Sequence, residues 1–253
     1  MIRLSKRLEW IAQEVPQGGR LADIGSDHAL LPTYLAERGR IAGAIAGEVN
    51  EGPYEAAGKQ VRMAGLQHMI DVRLGDGLAV LKPGEADVIT IAGMGGALIS
   101  SILEAGKSKL IGVKRLVLQP NVGEAAVREW LEANGWLLIG ERILEEDGKI
   151  YEILTAEPAE DEKRSAAAMY EPFQAGELTL GRHRQLLMGP YLMREASPVW
   201  KTKWELELEK LEHVCTQLGR SEQEASMRKA SELREEMTRI REVLAACSPK
   251  DKL

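Results

Sequence analysis

The sequence predicts an α/β domain, a seven-stranded and mostly parallel sheet ending in an antiparallel hairpin, followed by an α-helical coiled-coil hairpin. Three observations carry that expectation. Short apolar runs rich in Val and Ile alternate with helical stretches through residue 156, the pattern of successive βα units around a parallel sheet. The last two runs are separated only by Glu146-Asp147-Gly148, too short for a crossover helix, so they must pair antiparallel. Beyond residue 197 the apolar residues change to heptad spacing, the seam of two long helices.

Taken in order, strands are expected at 20–24, 41–47, 70–74, 87–92, 114–119, 136–145 and 149–156. Helices fit between them at 29–38, 53–64, 95–106 and 123–134. The acidic stretch 157–164 has no apolar period and reads as a linker, dividing the chain into residues 1–160 and 161–253. At Ser197-Pro198 serine can cap a helix and proline can occupy its first turn. Trp204, Leu208, Leu211, Cys215 and Leu218 then form one half of the seam, interrupted at Gly219. Ser221 and Glu224 form a capping-box pattern, after which Ala230, Leu233, Met237, Ile240, Leu244 and Cys247 resume it. Each helix should run about 20 to 25 residues, roughly 30–37 Å. A two-helix seam buries little, so it is expected to pack on the first domain or on another chain.

Composition bounds the function classes. With 253 residues, 44% hydrophobic and 28% charged, the chain has the apolar content of a folded protein rather than a disordered one. It lacks a run of about 18 uncharged apolar residues, and its N-terminus is charged where a signal peptide needs an apolar core. A cytoplasmic location and no membrane partner are therefore expected. Cys215 and Cys247 lie far apart without metal-ligand spacing, so neither a metal site nor a disulfide is expected. The net charge of −6 argues against a polyanionic partner as a global property. The excess is confined to residues 1–160, with 17 Lys and Arg against 23 Asp and Glu, whereas 161–253 balances at 16 against 16. Any basic surface must be local, and Arg3, Lys6, Arg7, Arg182, His183 and Arg184 are its candidates; a solvated charged surface is the alternative.

The chemistry is concentrated where strands end. The first runs into Asp23-Ile24-Gly25-Ser26-Asp27-His28, an acidic turn with a glycine that permits close backbone approach. The pattern is not GxGxxG, which counts against NAD or FAD. The second strand leads to Glu48 and Val49, and a carboxylate at that offset can accept hydrogen bonds from both ribose hydroxyls of an adenosine. Gly75-Asp76-Gly77 follows the third strand, offering a carboxylate to an adenine amino group. Gly93-Met94-Gly95-Gly96 follows the fourth. Four such ends would build one cleft. Asp23 suits the cationic end of a sulfonium amino acid, and Glu48 and Asp76 suit its sugar and base.

Several segments together make the similarity specific: LSKRL, LADIGSDHALLP, AIAGEVNEGP, GDGLAVLKPGEADVITIAGMGGALI, LQPN at 118–121 and RILEEDGKIYEIL. They resemble the bacterial tRNA (adenine-22 N1)-methyltransferase family, and the similarity continues through Met188-Gly189-Pro190-Tyr191-Leu192 into the second domain. The resemblance implies a class I Rossmann-like methyltransferase domain with a C-terminal helical hairpin. It further implies S-adenosyl-L-methionine as donor and transfer to N1 of an adenine in the D-arm region of tRNA. On this reading Asp23, Gly25, Ser26, His28, Glu48, Val49, Asp76, Gly77, Gly93, Met94 and Gly95 hold the donor. Asp27 either accepts a hydrogen bond from the adenine amine or binds the donor's amino group, and Asn121 either reads the target base or caps its loop. Lys6, Arg7, Arg182 and Arg184 are the candidate RNA contacts. The family usually has tyrosine where this chain has Leu30, so an aromatic platform for the base is missing there, with Met94 or Tyr54 as substitutes.

Two other classes fit the first 156 residues as well. A methyltransferase acting on a small molecule or protein would not need residues 161–253, and a donor-binding scaffold would show no turnover. A monomer is expected, with a dimer through the helical hairpin as the alternative.

Overall fold

A computed structural model describes residues 2–159, 166–220 and 223–247. The chain divides into two compact units between Met169 and Tyr170. The first contains, in order, Lys6–Glu14 (α1), Gly19–Ile24 (β1), Leu30–Glu37 (α2), Ile41–Glu48 (β2), Glu51–Met63 (α3) and Ile70–Leu74 (β3). Val88–Gly95 (β4), Gly96–Ala105 (α4), Arg115–Val122 (β5), Glu124–Ala133 (α5), Trp136–Glu146 (β6) and Lys149–Pro158 (β7) complete it.

The seven strands form one sheet in the order β3-β2-β1-β4-β5-β7-β6. The first five are parallel, and β7 runs antiparallel between β5 and β6. Strand order reverses between β1 and β4, which opens a crevice at their carboxyl ends. Alternation along β5 shows how the sheet is covered. Val117 joins a cluster with Ile11 of α1, Leu31 and Leu35 of α2 and Val61 of α3. Its neighbours Leu116 and Leu118 are equally buried and point to the opposite face, which α4 and α5 cover.

Two differences from the sequence-based expectation matter for function. First, α1 was not among the expected helices. Ser5 caps it by accepting the Leu8 N–H at 3.2 Å, and the Glu146 carboxylate accepts the Lys6 and Arg7 N–H groups at 2.6 and 3.0 Å. Its first-turn donors are thus satisfied by the tip of the β6–β7 hairpin. Second, β4 continues to Gly95 rather than ending at 92. Gly93 adopts φ 79°, a left-handed conformation open to glycine, and the bulge it creates lets Met94 and Gly95 pair with Pro120 and Val122.

The close approach of α4 to the β5–α5 turn also depends on glycine. A Cβ on Gly96 would lie 2.0 Å from the Gly123 carbonyl oxygen.

The second unit contains a short hairpin, Phe173–Ala175 (β8) and Leu178–Leu180 (β9), then Arg182–Met188 (α6), Pro190–Glu195 (α7), Pro198–Leu218 (α8) and Glu224–Ala246 (α9). Ser197 caps α8 as expected, accepting the Trp200 N–H at 3.3 Å. Trp204, Cys215, Ala230, Met237 and Ile240 are buried, as the seam requires, and Val243 joins them. The proposed cap Ser221 lies outside the described residues. Cys215 is buried and Cys247 half-buried, and both are free thiols. Among the described residues no helix is long and apolar enough to cross a membrane.

Candidate functional site

The carboxyl ends of β1, β2, β4 and β5 meet in one region of the first unit. The turn after β1 is strained: Gly25 has φ 68°, and three consecutive residues that are not glycine, Asp27, His28 and Ala29, have φ of 45°, 64° and 54°. Each such residue costs about 1–2 kcal/mol, and runs of this kind persist where surrounding contacts over-determine them. Here the Gly25 and Ser26 N–H groups donate to the Gly47 carbonyl at 2.9 and 3.3 Å. The Asp27 N–H donates to Glu48 Oε1 at 2.6 Å.

Asp23 is 5% exposed and accepts hydrogen bonds from Ser26 Oγ and Thr90 Oγ1, each at 2.5 Å. Burial pushes its carboxyl up to about 6, against the downward pull of those two hydroxyls. Because the folded-state value exceeds the ordinary 3.8, the associated stability is fully present below about pH 4. It is lost as pH rises through about 6, a change on the order of 3 kcal/mol. Asp23→Asn is therefore expected to be more stable than the parent above about pH 6, with the advantage shrinking toward about pH 4. Urea unfolding across that window measures it, and a difference that does not vary with pH would exclude Asp23 ionisation as the source. A carboxylate kept at such a cost beside the switch point suits a cationic ligand group.

Glu48, at the end of β2, is 6% exposed, and burial raises its carboxyl above the usual range. Oε1 holds the strained turn, while Oε2 has no hydrogen bond among the described residues. The adjacent Val49 is 59% exposed. After β3, the Gly75 N–H donates to the Glu48 carbonyl at 2.8 Å. Asp76 is exposed and begins a short 3-10 turn over Gly77–Val80, with Gly77 at φ 50°. Met94 packs over Gly25, where an added Cβ would meet Met94 Cε at 2.3 Å.

Those features fit S-adenosylmethionine by the chemistry of their donor set. A buried carboxylate with a free oxygen suits vicinal ribose hydroxyls, and a second buried carboxylate suits a cationic amino acid. Both stand around Gly25, whose missing side chain lets Met94 pack directly over the turn.

The other residues singled out by sequence fall in different places. The Asp27 carboxylate is 83% exposed and lies 3.6 Å from the His28 imidazole, so only the Asp27 backbone is engaged by Glu48. Asn121 is exposed at the end of β5, its Nδ2 donating to the Gly93 carbonyl at 2.8 Å. Arg7 does not simply face solvent: its Nη1 donates to Gln119 Oε1 at 2.5 Å, and its guanidinium lies 5.3 Å from the Tyr151 ring centre. The Lys6 ammonium lies 5.8 Å from the Trp10 ring centre. In the second unit Arg182 is exposed, whereas Arg184 forms a two-pronged ion pair with Glu236 that ties α6 to α9. Leu30 is half-buried at the start of α2. Tyr54 lines a groove of about 670 Å³ along α3 and β3 with Lys59, Arg62 and Asp71. Among the described residues no group of three His, Cys, Asp or Glu side chains is placed to hold a metal ion.

Three participants escaped the sequence reading: Thr90, Gln119 and Glu146. The first two are polar residues inside apolar strand runs, VITIA and LVLQP, and both are fully buried. That interruption was the available signal.

Comparison with known proteins agrees with this architecture. The crystal structure of the Bacillus subtilis m1A22 tRNA methyltransferase TrmK is similar with a TM-score of 0.87 at 45% identity, covering 96% of this chain and all of that one. A Streptococcus pneumoniae structure, described as a putative tRNA (m1A22) methyltransferase in complex with S-adenosyl-L-methionine, matches with a TM-score of 0.79 at 44% identity, with 96% and 100% coverage. The tRNA (adenine(22)-N(1))-methyltransferase of Bacillus subtilis strain 168 is 46% identical over 244 residues, 96% of this chain and 98% of that protein. Together with a family model that matches residues 21–242, these relationships establish that the chain belongs to the tRNA (adenine(22)-N(1))-methyltransferase family.

Proposed function

We propose that this chain transfers a methyl group from S-adenosylmethionine to ring nitrogen N1 of adenine 22, in the D-arm region of tRNA, and does so in the cytoplasm. The observation that carries the reading is the pair of buried carboxylates, Asp23 and Glu48, at the ends of β1 and β2 in a chain of this family.

When bound, S-adenosylmethionine supplies an electrophilic methyl carbon on a sulfonium. Glu48 takes the ribose hydroxyls, and Asp76 the adenine amine of the donor. Asp23, Gly25, Ser26 and His28 surround its amino-acid end, with Val49, Gly77, Gly93, Met94 and Gly95 completing the walls. N1 of neutral adenine already carries a lone pair, so no residue has to remove a proton to create the nucleophile. The enzyme's work is positioning and electrostatics. Asp27 and Asn121 stand where the target base would enter, and an acceptor near its exocyclic amine stabilises the positive charge that methylation places on the ring. The unit from Tyr170 onward is proposed to bind tRNA, with Arg182 contributing to a phosphate-facing surface and Arg184 holding that surface together through Glu236.

Reaction with unmodified tRNA and labelled donor, followed by mapping of the modified nucleotide, tests the reading; N1-methyladenosine at position 22 is expected. A methyl group on another nucleotide, or turnover only with a small molecule or protein, would overturn it. Asp27→Ala is expected to lower turnover by about 100-fold, as for loss of a group that stabilises developing charge, while donor affinity measured by calorimetry stays near that of the parent. A large loss of donor affinity would instead place Asp27 against the donor.

A further inference from the structure

We infer that Gln119 and Arg7 are positioning residues that fix which end of the Asn121 amide meets the target adenine, Arg7 acting through Gln119. The inference rests on the proposed reading that the base is held against Asn121.

Gln119 is fully buried at a point in β5 where the strand is otherwise apolar. Its Oε1 accepts from Arg7 Nη1 at 2.5 Å and from the Gly93 N–H at 3.1 Å. Its Nε2 donates to the Pro120 carbonyl at 2.9 Å and to Asn121 Oδ1 at 3.1 Å. Asn121 Nδ2 in turn donates to the Gly93 carbonyl at 2.8 Å.

Every link in this chain has one allowed polarity. A guanidinium and a backbone N–H can only donate, so the Gln119 oxygen must face Arg7 and Gly93. The Gln119 nitrogen therefore faces the other way, and since it can only donate, the Asn121 oxygen must face it. The Asn121 nitrogen is left against the Gly93 carbonyl, which can only accept. Turning the Asn121 amide over would set nitrogen against nitrogen and oxygen against oxygen. Arg7 is held for this task at both ends, its backbone N–H by Glu146 at 3.0 Å and its guanidinium beside the Tyr151 ring.

The polarity matters because of where charge develops. As N1 gains its methyl group, positive charge spreads to the exocyclic amine of the adenine. The Asn121 oxygen keeps a second lone pair, and an acceptor there strengthens its hydrogen bond as the amine becomes more acidic, an interaction larger in the transition state than in the ground state. A reversed amide would present a donor to the same amine.

Gln119→Glu retains size and the partners of Oε1 but removes the hydrogen bond to the Asn121 oxygen, because an ionised carboxylate only accepts. Its kcat on tRNA is expected to fall by about 30-fold or more, somewhat less than for outright loss of a charge-stabilising group, with KM for tRNA and donor affinity near those of the parent. The parent should also prefer tRNA with adenine at position 22 over tRNA with unsubstituted purine there, which lacks the amine, and this preference should collapse in the variant. Arg7→Met is expected to behave the same way at a half-exposed position that should fold if Gln119→Glu does not, and Arg7→Lys, still a donor-only cation, should restore part of the loss. If Arg7→Met instead raises KM and flattens its salt dependence while kcat and the adenine preference stay unchanged, Arg7 is a phosphate contact and the inference fails. An unchanged adenine preference in a folded Gln119→Glu variant would also overturn it. Failure of the parent to modify N1 of adenine 22 would reject the proposed function itself, so the two outcomes are separable.

Discussion

Replacing Glu48 with alanine is expected to weaken S-adenosylmethionine binding by about 100-fold or more, enough to abolish measurable binding at ordinary protein concentrations. Two effects combine. The first is direct: hydrogen bonds to a charged acceptor contribute about 1.5–3 kcal/mol each, so losing the two proposed ribose hydroxyl contacts accounts for roughly 10²–10⁴ in affinity. The second acts through the backbone, because Glu48 Oε1 also accepts the Asp27 N–H at 2.6 Å and so holds a turn with three consecutive left-handed residues. Without that acceptor the turn can relax away from the geometry that borders the donor. Glu48→Gln should retain part of the affinity, since an amide oxygen can still accept the Asp27 N–H. Calorimetric titration with the donor, alongside circular dichroism to establish folding, measures both. Near-parental affinity in a folded Glu48→Ala protein would move the ribose site elsewhere.

The place of Glu48 at the end of β2 was legible in the sequence because its signals are local: an apolar run, an acidic residue at its end, and a fixed offset from the first strand. The same holds for most of the sheet. Each strand is a short apolar run, and the short break at Glu146-Asp147-Gly148 permits only a hairpin. The antiparallel end of the sheet follows, and Glu146↔Lys149 is indeed its closing pair. The helix α1 was legible in principle, since Ser5 stands before a segment whose Leu8, Ile11 and Ala12 share a helical face. Its charges, Lys6, Arg7 and Glu9, fit a solvated surface equally well.

Direction of side chains across long sequence separations was not legible. Arg7 and Gln119 are 112 residues apart, and nothing in KRLEW distinguishes a guanidinium that organises a strand end from one that binds phosphate. Arg184 is parallel: its spacing fits an exposed basic surface, yet a glutamate on another helix claims the charge. Strain likewise escaped the sequence. Nothing in the types of Asp27, His28 and Ala29 marks three consecutive left-handed conformations, and the bonds that border the turn, from Asp27 to Glu48 and from Gly25 and Ser26 to the Gly47 carbonyl, come from a different strand.

The second large effect concerns a cluster that sequence reasoning could not assemble for the same reason. Arg128 of α5 is fully buried, its Nε donating to Glu141 Oε1 at 2.7 Å and its Nη2 to Glu152 Oε2 at 2.5 Å. Both glutamate side chains are fully buried as well. One lies on β6 and the other on β7, so the cluster binds α5 to the antiparallel hairpin whose tip carries Glu146. Arg128→Met is expected to destabilise the protein by about 3–5 kcal/mol at neutral pH, because it removes the guanidinium that two buried carboxylates share. Arg128→Lys should recover little, since a single ammonium cannot reproduce the guanidinium fork. Replacing all three residues by apolar ones of similar volume should restore most of the stability, since a buried ion cluster and a well-packed apolar one are often equivalent. Urea unfolding of the four proteins at neutral pH tests the set. A loss under about 1 kcal/mol for Arg128→Met at neutral pH would mean water or another cation reaches the glutamates. Because Glu146 anchors the first turn of α1, and through it Arg7, a loosened hairpin should also reduce methyl transfer at temperatures where the variant is still folded.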